Sequence, residues 1–200
     1  MPHISPLTIL SFLFVLFLSA CGGSNSDTAD GEDDYEPVSF TVDGTKAIMQ
    51  GTIDSRLKST LEKILDNNPA VTTIEMHDVP GSADDDANLI ASRIIRTRGI
   101  NTHVPADGII ASGGVDFYLA GLQRTLADGA KIGVHSWADG DGRAGSDYPA
   151  NDPEHKKYLD YYTEMGIPLE FYWFTLTAAP PEEIHNMTAA EITRYGVTTH

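Results

Sequence analysis

The sequence has little positive charge: its 200 residues include 13 Lys and Arg against 29 Asp and Glu, and the formal net charge at pH 7 is -16. Proteins bind a phosphate backbone through clustered Lys and Arg, so this composition argues against binding to nucleic acid. The chain has one cysteine, Cys21, which excludes an internal disulfide. Motifs for metals and nucleotides are also missing, and we therefore expect no cofactor.

Long hydrophobic runs are scarce as well, and the clearest one lies near the start of the chain. Residues 7–20 are almost continuously apolar, but this run is shorter than the roughly 20 residues that span a bilayer. Its length is typical of a signal-peptide core. Leu18-Ser19-Ala20 before Cys21 resembles the bacterial lipobox, in which the cysteine is acylated after the leader is removed. The alternative is an ordinary cleaved signal with an incidental cysteine.

The lipobox resemblance implies a division of the chain into three parts. Residues 1–20 would be the signal peptide, 21–37 the lipidated Cys21 with an acidic flexible tether, and 38–200 the folded domain. The tether is rich in Gly, Ser and acidic residues, which leaves almost nothing to bury. We expect a protein anchored to the bacterial cell envelope through Cys21 and facing the periplasm. Gly22 favours the outer membrane over the inner one.

The domain shows strands interleaved with helices. Residues 38–42 and 47–51 look like two strands around an Asp43-Gly44 turn, which is a strong hairpin signal. Further strands are predicted at 71–76, 100–104, 108–111 and 131–135, and helices at 53–65, 87–98, 154–164, 168–177 and after Thr188. This alternation predicts an α/β domain with right-handed crossovers and a largely parallel sheet.

Residues 108–121 carry the most informative motif, in which a buried apolar strand runs into Ser112-Gly113-Gly114 and then a helix. Small residues there let a substrate approach the backbone. A helix start presents unpaired N–H groups, which can stabilise an oxyanion beside an exposed serine hydroxyl. The alternative is that Ser112 simply caps the helix.

The order of motifs after Ser112 resembles that of the Clp protease/crotonase superfamily. Leu-Ala-Gly at 119–121, Arg124 and a strand that ends at His135 follow in the order seen in the Clp proteolytic subunit and signal peptide peptidase A. The resemblance implies a ClpP/crotonase-like spiral of βαβ units with a largely parallel sheet. It also implies that Ser112 is the nucleophile and His135 the general base. The alternative is a strand-end histidine satisfied by nearby backbone.

Residues 78–82 resemble the superfamily's Pro-Gly-Gly turn, which supplies an oxyanion N–H. Gly81 fits this pattern, and Ser82 stands in place of the second glycine. Because any residue except proline carries an N–H, the resemblance implies Gly81, Ser82 and Gly113 as oxyanion-binding residues. The alternative is a Pro-Gly turn in which Ser82 caps the next helix.

Residues 187–197 resemble the closing helix and short strand of the Clp family. In that family the catalytic acid lies at the position of Ile184. The adjacent Glu183 is the candidate substitute, so the catalytic set implied by the resemblance is Ser112, His135 and Glu183. Alternatively, residues 180–183 are a helix start, with early prolines and carboxylates that complement the helix dipole.

The remaining candidate groups have plainer interpretations. The three aspartates at 84–86 are typical of a helix start, and His77, His103 and His155 lack the spacing of metal ligands. The aromatic residues 171–174 are expected in the core or at a subunit interface, which leaves a homo-oligomer open. Residues 139–153 are predicted to be a long mobile loop that gates access to the proposed site, or else a solvated connector.

The sequence supports three functional hypotheses. The leading one is a lipid-anchored serine hydrolase, peptidase-like, that acts on a peptide or protein of the envelope through a Ser-His dyad or incomplete triad. The second is a noncatalytic Clp-fold binding or assembly protein, because the acid is missing at Ile184. The third, crotonase-like acyl-CoA chemistry, suits the fold but not the compartment, and few basic residues are present to meet the phosphates of coenzyme A.

Overall fold

A computed structural model describes residues 35–199, so the predictions for the leader, Cys21 and most of the tether lie outside the described residues. The strands are β1 Ser39–Asp43, β2 Lys46–Gln50, β3 Thr73–Met76, β4 Asp78–Val79, β5 Asn101–Val104, β6 Ile109–Ala111, β7 Arg124–Leu126, β8 Lys131–Val134 and β9 His185–Asn186. The helices are α1 Leu57–Asn67, α2 Asp85–Thr97, α3 Gly113–Leu119, α4 Lys156–Met165, α5 Leu169–Ala178 and α6 Ala189–Arg194.

The strands form two sheets rather than one. A five-stranded sheet has the order β1-β2-β3-β5-β7, and a four-stranded sheet has the order β4-β6-β8-β9. All pairings are parallel except β1 with β2 and β8 with β9. The predicted α/β class with largely parallel pairing is therefore confirmed. The sequence pattern missed β4, β7 and β9, which have only two or three residues each and so too little length to show a period.

The predicted hairpin at the start of the domain is present. β1 and β2 pair antiparallel, and Gly44 in the turn has a φ of +57°, a left-handed conformation that glycine adopts without strain. α1 begins at Leu57, four residues later than the apolar pattern predicts. The reason is local: the buried Asp54 carboxylate accepts the backbone N–H of Arg56 and pairs with its guanidinium, which forms a turn before the helix.

The core is rich in aromatic side chains that come from the helices. α2 packs against both α1 and α3, and α4 packs against α5. The largest fully buried side chains include Phe117, Tyr118, Tyr161, Phe171 and Tyr172. The first two residues of the aromatic segment 171–174 thus lie in the core, as the composition of that segment indicates.

The closing segment holds the short helix that its sequence predicts. Thr188 and Glu191 form a reciprocal capping box at the start of α6. Residues 180–183 are a turn that leads into β9, so the interpretation of this segment as a helix start is wrong. Within residues 35–199, no helix is both long and apolar enough to cross a membrane.

Candidate active site

Three adjacent parallel strands end at the same edge of the four-stranded sheet. Val79 of β4 is in register with Ile110 of β6, and Ala111 of β6 is in register with Gly133 of β8. The residues that follow these strands therefore emerge side by side. This register is what brings the Gly81-Ser82 turn, Ser112 and His135 into one neighbourhood.

Ser112 has a strained backbone. Its φ of 52° and ψ of -129° make it the one non-glycine residue with a positive φ between residues 35 and 199. Such a conformation costs about 1–3 kcal/mol and persists only where the surroundings impose it. Here the Ser112 N–H donates to the Gly133 carbonyl at 3.0 Å, and the Ser112 carbonyl accepts from Val115 N–H at 2.8 Å.

The Ser112 side chain does not cap the helix. Ser112 occupies the N-cap position of α3, but its hydroxyl makes no capping hydrogen bond. The alternative assignment of Ser112 as an ordinary helix cap is therefore not supported. Ser112 is half-buried in the turn between β6 and α3, which is the position that nucleophilic serines occupy in sharp strand-to-helix turns.

Ser112 and His135 line the same small cavity. Its volume is about 40 Å³, which is enough for a few water molecules. The lining residues are Asp85, Ser112, Gly113, Val115, Asp116, Val134, His135, Trp137, Tyr158, Tyr162, Tyr172 and Thr175. No hydrogen bond joins the Ser112 and His135 side chains in the described structure, and a catalytic dyad would need that contact to form when a substrate binds.

The proposed oxyanion residues lie against Ser112. A Cβ built on Gly81 would come 3.2 Å from Ser112 Cβ, and one on Gly113 would come 2.7 Å from Ser82 Cβ. The Ile53 N–H donates to the Gly81 carbonyl, and the Ile53 carbonyl accepts from the Ala83 N–H. The Ser82 N–H therefore points away from Ile53.

Ser82 is not the cap of α2. That role belongs to Asp84, whose carboxylate accepts the Ala87 N–H at 2.9 Å. The Ser82 hydroxyl instead donates to the Asp85 carboxylate. The alternative in which Ser82 caps the helix is therefore wrong, although the Pro-Gly turn itself is present.

The surroundings of His135 favour a neutral imidazole. Burial lowers the pKa of His135, while the backbone of Pro181, the charge of Asp85 and the backbone of Ser136 offset part of that shift. A neutral imidazole can accept a proton, as a general base must. The His135 Nδ1 is buried without a hydrogen-bond partner. The backbone of Pro181 and Ser136 nevertheless lies close enough to raise the pKa of His135, so both the general base and the strand-end histidine held by nearby backbone stay predictions.

The structure does not bring Glu183 into the cavity. The antiparallel pairing of β8 with β9 ends at Val134 and His185, so Ile184 directly precedes β9 and His135 directly follows β8. A Cβ on Gly133 would collide with the Ile184 side chain, which confirms that Ile184 lies beside β8. Glu183 is exposed and is not among the residues that line the cavity.

Two carboxyl groups that line the cavity, those of Asp85 and Asp116, were not among the site residues that the sequence predicts. Asp85 begins α2 and accepts from the hydroxyls of Ser82 and Tyr158. Asp116 lies in α3 and accepts from the Tyr162 hydroxyl at 2.6 Å. Burial raises the pKa of Asp116 to about 7; the hydrogen bond from Tyr162 opposes this shift, and the charge of Asp85 adds to it.

Asp116 could have been found from the sequence, because it follows Ser112 by four residues and so lies on the same side of a helix that starts there. Asp85 carried no comparable signal. Residues 35–199 also hold no group of three His, Cys, Asp or Glu side chains that could bind a metal ion.

The segment 139–153 makes more contacts than its composition suggests. Tyr148 packs against Trp137 with ring centroids 5.4 Å apart, and Gly145 N–H donates to the Trp137 carbonyl at 2.7 Å. A short 3-10 turn spans Gly145–Asp147. Because Trp137 lines the cavity, the segment contacts the wall of the site. Its role in gating access stays a prediction.

The fold is shared with known enzymes. No protein-family model and no curated protein sequence matches the chain. Among solved structures, a mutant of the membrane-bound stomatin-specific protease 1510-N in complex with a substrate peptide is 18% identical, with a TM-score of 0.50 over 72% of this chain and 68% of that one.

Two enoyl-CoA hydratase structures are also similar. An enoyl-CoA hydratase from Polaromonas sp. JS666 is 12% identical, with a TM-score of 0.50 over 82% of this chain and 70% of that one. An enoyl-CoA hydratase/isomerase family protein from Silicibacter pomeroyi is 8% identical, with a TM-score of 0.54 over 82% of this chain and 74% of that one. The chain therefore has the Clp protease/crotonase fold that its motifs indicate.

Proposed function

We propose that this domain is a serine hydrolase of peptidase-like activity, with Ser112 as the nucleophile and His135 as the general base. The observation that carries the proposal is the strained backbone of Ser112 at the edge of a cavity shared with His135. Strain of this kind clusters at functional sites, because ordinary folding gives no reason to keep it.

The proposed reaction is acyl transfer through the serine. The Ser112 hydroxyl attacks the substrate carbonyl carbon while its proton passes to the His135 imidazole, and the carbonyl oxygen becomes an oxyanion. The N–H groups of Ser82 and Gly113 are the proposed donors to that oxyanion. The scissile bond then breaks, the leaving group takes the proton from His135, and water attacks the acyl-enzyme in the same way.

The proposed setting is the bacterial cell envelope. Cys21, which lies outside the described residues, would carry the lipid anchor and hold the domain on the periplasmic side of a membrane, with peptides or proteins as substrates. Acyl chains supply the attachment that an acidic surface cannot, at about 0.8 kcal/mol per buried CH₂. Radiolabelled palmitate should enter the wild-type protein in a bacterial host but not Cys21→Ser, and Cys21→Ser that still takes up palmitate contradicts the lipoprotein proposal.

A second candidate function is a noncatalytic binding or assembly protein with the same fold. It is favoured by one observation, the absence of a hydrogen-bond partner for His135 Nδ1 where Ile184 replaces the expected acid. An unoriented histidine is a poorer base, and loss of the aspartate in a Ser-His-Asp enzyme costs about 10⁴-fold in rate.

A fluorophosphonate probe separates the two functions. The wild-type domain should be labelled at Ser112, and Ser112→Ala should abolish labelling. His135→Ala should slow it by about 10²-fold or more, which is the usual contribution of a general base. Ser59→Ala, at an exposed serine of α1, is the matched control and should label like the wild type. If the folded wild-type protein is not labelled under conditions that label a control hydrolase, the hydrolase proposal is wrong and the noncatalytic binding function is favoured.

A further inference from the structure

We infer that Asp85 replaces the missing acid of this site by stabilising the positively charged His135 from across the cavity. The inference rests on the proposed function and identifies a positioning and electrostatic residue that the motifs do not contain. Ile184 stands where the resemblance implies an acid, and Nδ1 of His135 is buried without a hydrogen-bond partner. A proton accepted by His135 therefore has no adjacent carboxylate to balance it.

Asp85 is the carboxylate best placed to supply that charge. It lines the cavity together with Ser112 and His135, and it is the first residue of α2. Its two oxygens each accept from a hydroxyl, one from Ser82 and one from Tyr158. These two donors fix the orientation of the Asp85 carboxylate.

The other groups that face His135 do not serve equally well. Asp116 also lines the cavity, but its pKa of about 7 leaves much of it neutral near that pH. The tyrosines of the lining, Tyr158, Tyr162 and Tyr172, all have raised pKa values because of burial and stay neutral. None of the residues described as lining the cavity is Lys or Arg, so no neighbouring cation in that lining cancels the charge of Asp85.

The effect of Asp85 on His135 has a definite sign. A negative charge favours the protonated imidazole, and the charge of Asp85 raises the pKa of His135 against the lowering effect of burial. In catalysis the same attraction stabilises the imidazolium that forms when Ser112 attacks. Since no hydrogen bond links the two side chains, we expect a smaller effect than that of an aspartate bonded directly to the histidine.

The test compares Asp85→Asn with Asp86→Asn. Asp86 is the next residue, is exposed and pairs with Lys157 on the surface, so its variant removes the same charge outside the cavity. Asp85→Asn should slow fluorophosphonate labelling of Ser112 about tenfold and lower the pKa of His135 in an NMR titration. Asp86→Asn should leave both unchanged.

Two further variants separate charge from structure. Tyr158→Phe removes one hydrogen bond to Asp85 but keeps its charge, so the pKa of His135 should remain near the wild-type value. Ile184→Asp introduces a carboxylate at the position where the resemblance implies the acid, and it should restore part of the labelling rate in the Asp85→Asn background. If Asp85 were merely structural, Tyr158→Phe would lower the pKa of His135 as Asp85→Asn does, and Ile184→Asp would rescue nothing.

The NMR titration is made in the Ser112→Ala background as well, where no chemistry occurs. An unchanged pKa of His135 in Asp85→Asn overturns the role of Asp85, whatever the activity of Ser112. A wild-type protein that never labels at Ser112 overturns the proposed function, and the catalytic role of Asp85 with it. Slower labelling together with a lower pKa of His135 supports both.

Discussion

The serine side and the histidine side of the candidate site differ in how tightly the fold holds them. On the serine side, Ser112 is strained, Gly113 has no room for a side chain, and Asn88 is buried and donates to the Gly113 carbonyl at 2.7 Å. On the histidine side, His135 Nδ1 lacks a partner and Ile184 lies where the resemblance implies an acid.

This difference indicates which part of the proposed catalytic site depends on the backbone and which on a single side chain. Oxyanion donors are backbone groups, so they survive side-chain changes as long as the strand ends and the helix start keep their places. An acid that orients a histidine is a single side chain, and one substitution removes it. The two sides can therefore be tested separately, and the three experiments below do so in order of expected effect.

The largest effect on probe labelling is expected from Gly113→Ala on the serine side. The new Cβ would come within 2.7 Å of Ser82 Cβ and 3.0 Å of Asn88 Nδ2, so the start of α3 must shift. We expect about 1–3 kcal/mol lower stability from overpacking and about 10²-fold slower probe labelling, because an oxyanion donor moves. Denaturant unfolding and labelling kinetics measure the two effects.

The matched control is Gly140→Ala, since a Cβ there meets nothing within 4 Å. It should keep the wild-type stability and labelling rate. If Gly113→Ala also labels at the wild-type rate, the tight packing around Ser112 is not needed for reactivity, and the contrast between the two sides disappears.

The next effect concerns Asp116, which lines the cavity between the two sides. Its pKa is raised from 3.8 to about 7 in the folded protein. The folded protein thus keeps a proton that the unfolded chain releases near pH 4, and this contribution to stability is lost as the pH rises from about 4 to about 7. The free energy of unfolding of the wild type, relative to Asp116→Asn, should fall by about 4 kcal/mol across that window.

The control for Asp116 is Asp107→Asn at an exposed aspartate outside the cavity. Its stability relative to the wild type should show no such trend between pH 4 and pH 7. A wild-type curve parallel to that of Asp116→Asn would mean that the Asp116 carboxyl is solvated, and that the cavity is less enclosed than its lining indicates.

The smallest effect is the release of strain at Ser112. Glycine tolerates a φ of 52° without penalty, whereas alanine does not. Ser112→Gly should therefore be more stable than Ser112→Ala by about 1 kcal/mol in chemical unfolding. The same pair at Ser59, in the regular helix α1, should show the opposite order by about 1 kcal/mol. If the Gly variant is less stable than the Ala variant at Ser112, as it should be at Ser59, the backbone of Ser112 is not strained.

The sequence by itself determined the features that depend on neighbouring residues. The Asp43-Gly44 hairpin, the Thr188–Glu191 capping box and the strand that runs through residues 109–111 into Ser112 are all read from short patterns. The alternation of strands and helices also predicts parallel pairing, and parallel strands end at one edge. The meeting of Ser112 and His135 at one cavity could therefore be anticipated from their places after strands.

Only the tertiary structure decided which acid lies near His135. Glu183 is one residue from the expected position, but the structure places the Ile184 side chain against Gly133 and leaves Glu183 exposed. Asp85, a member of an acidic helix start in the sequence, enters the cavity because Ser82 and Tyr158 bind it, and Tyr158 is 73 residues away. Periodicity records which side of its own element a residue occupies, whereas contacts between distant segments depend on strand register and helix packing, which no local pattern encodes.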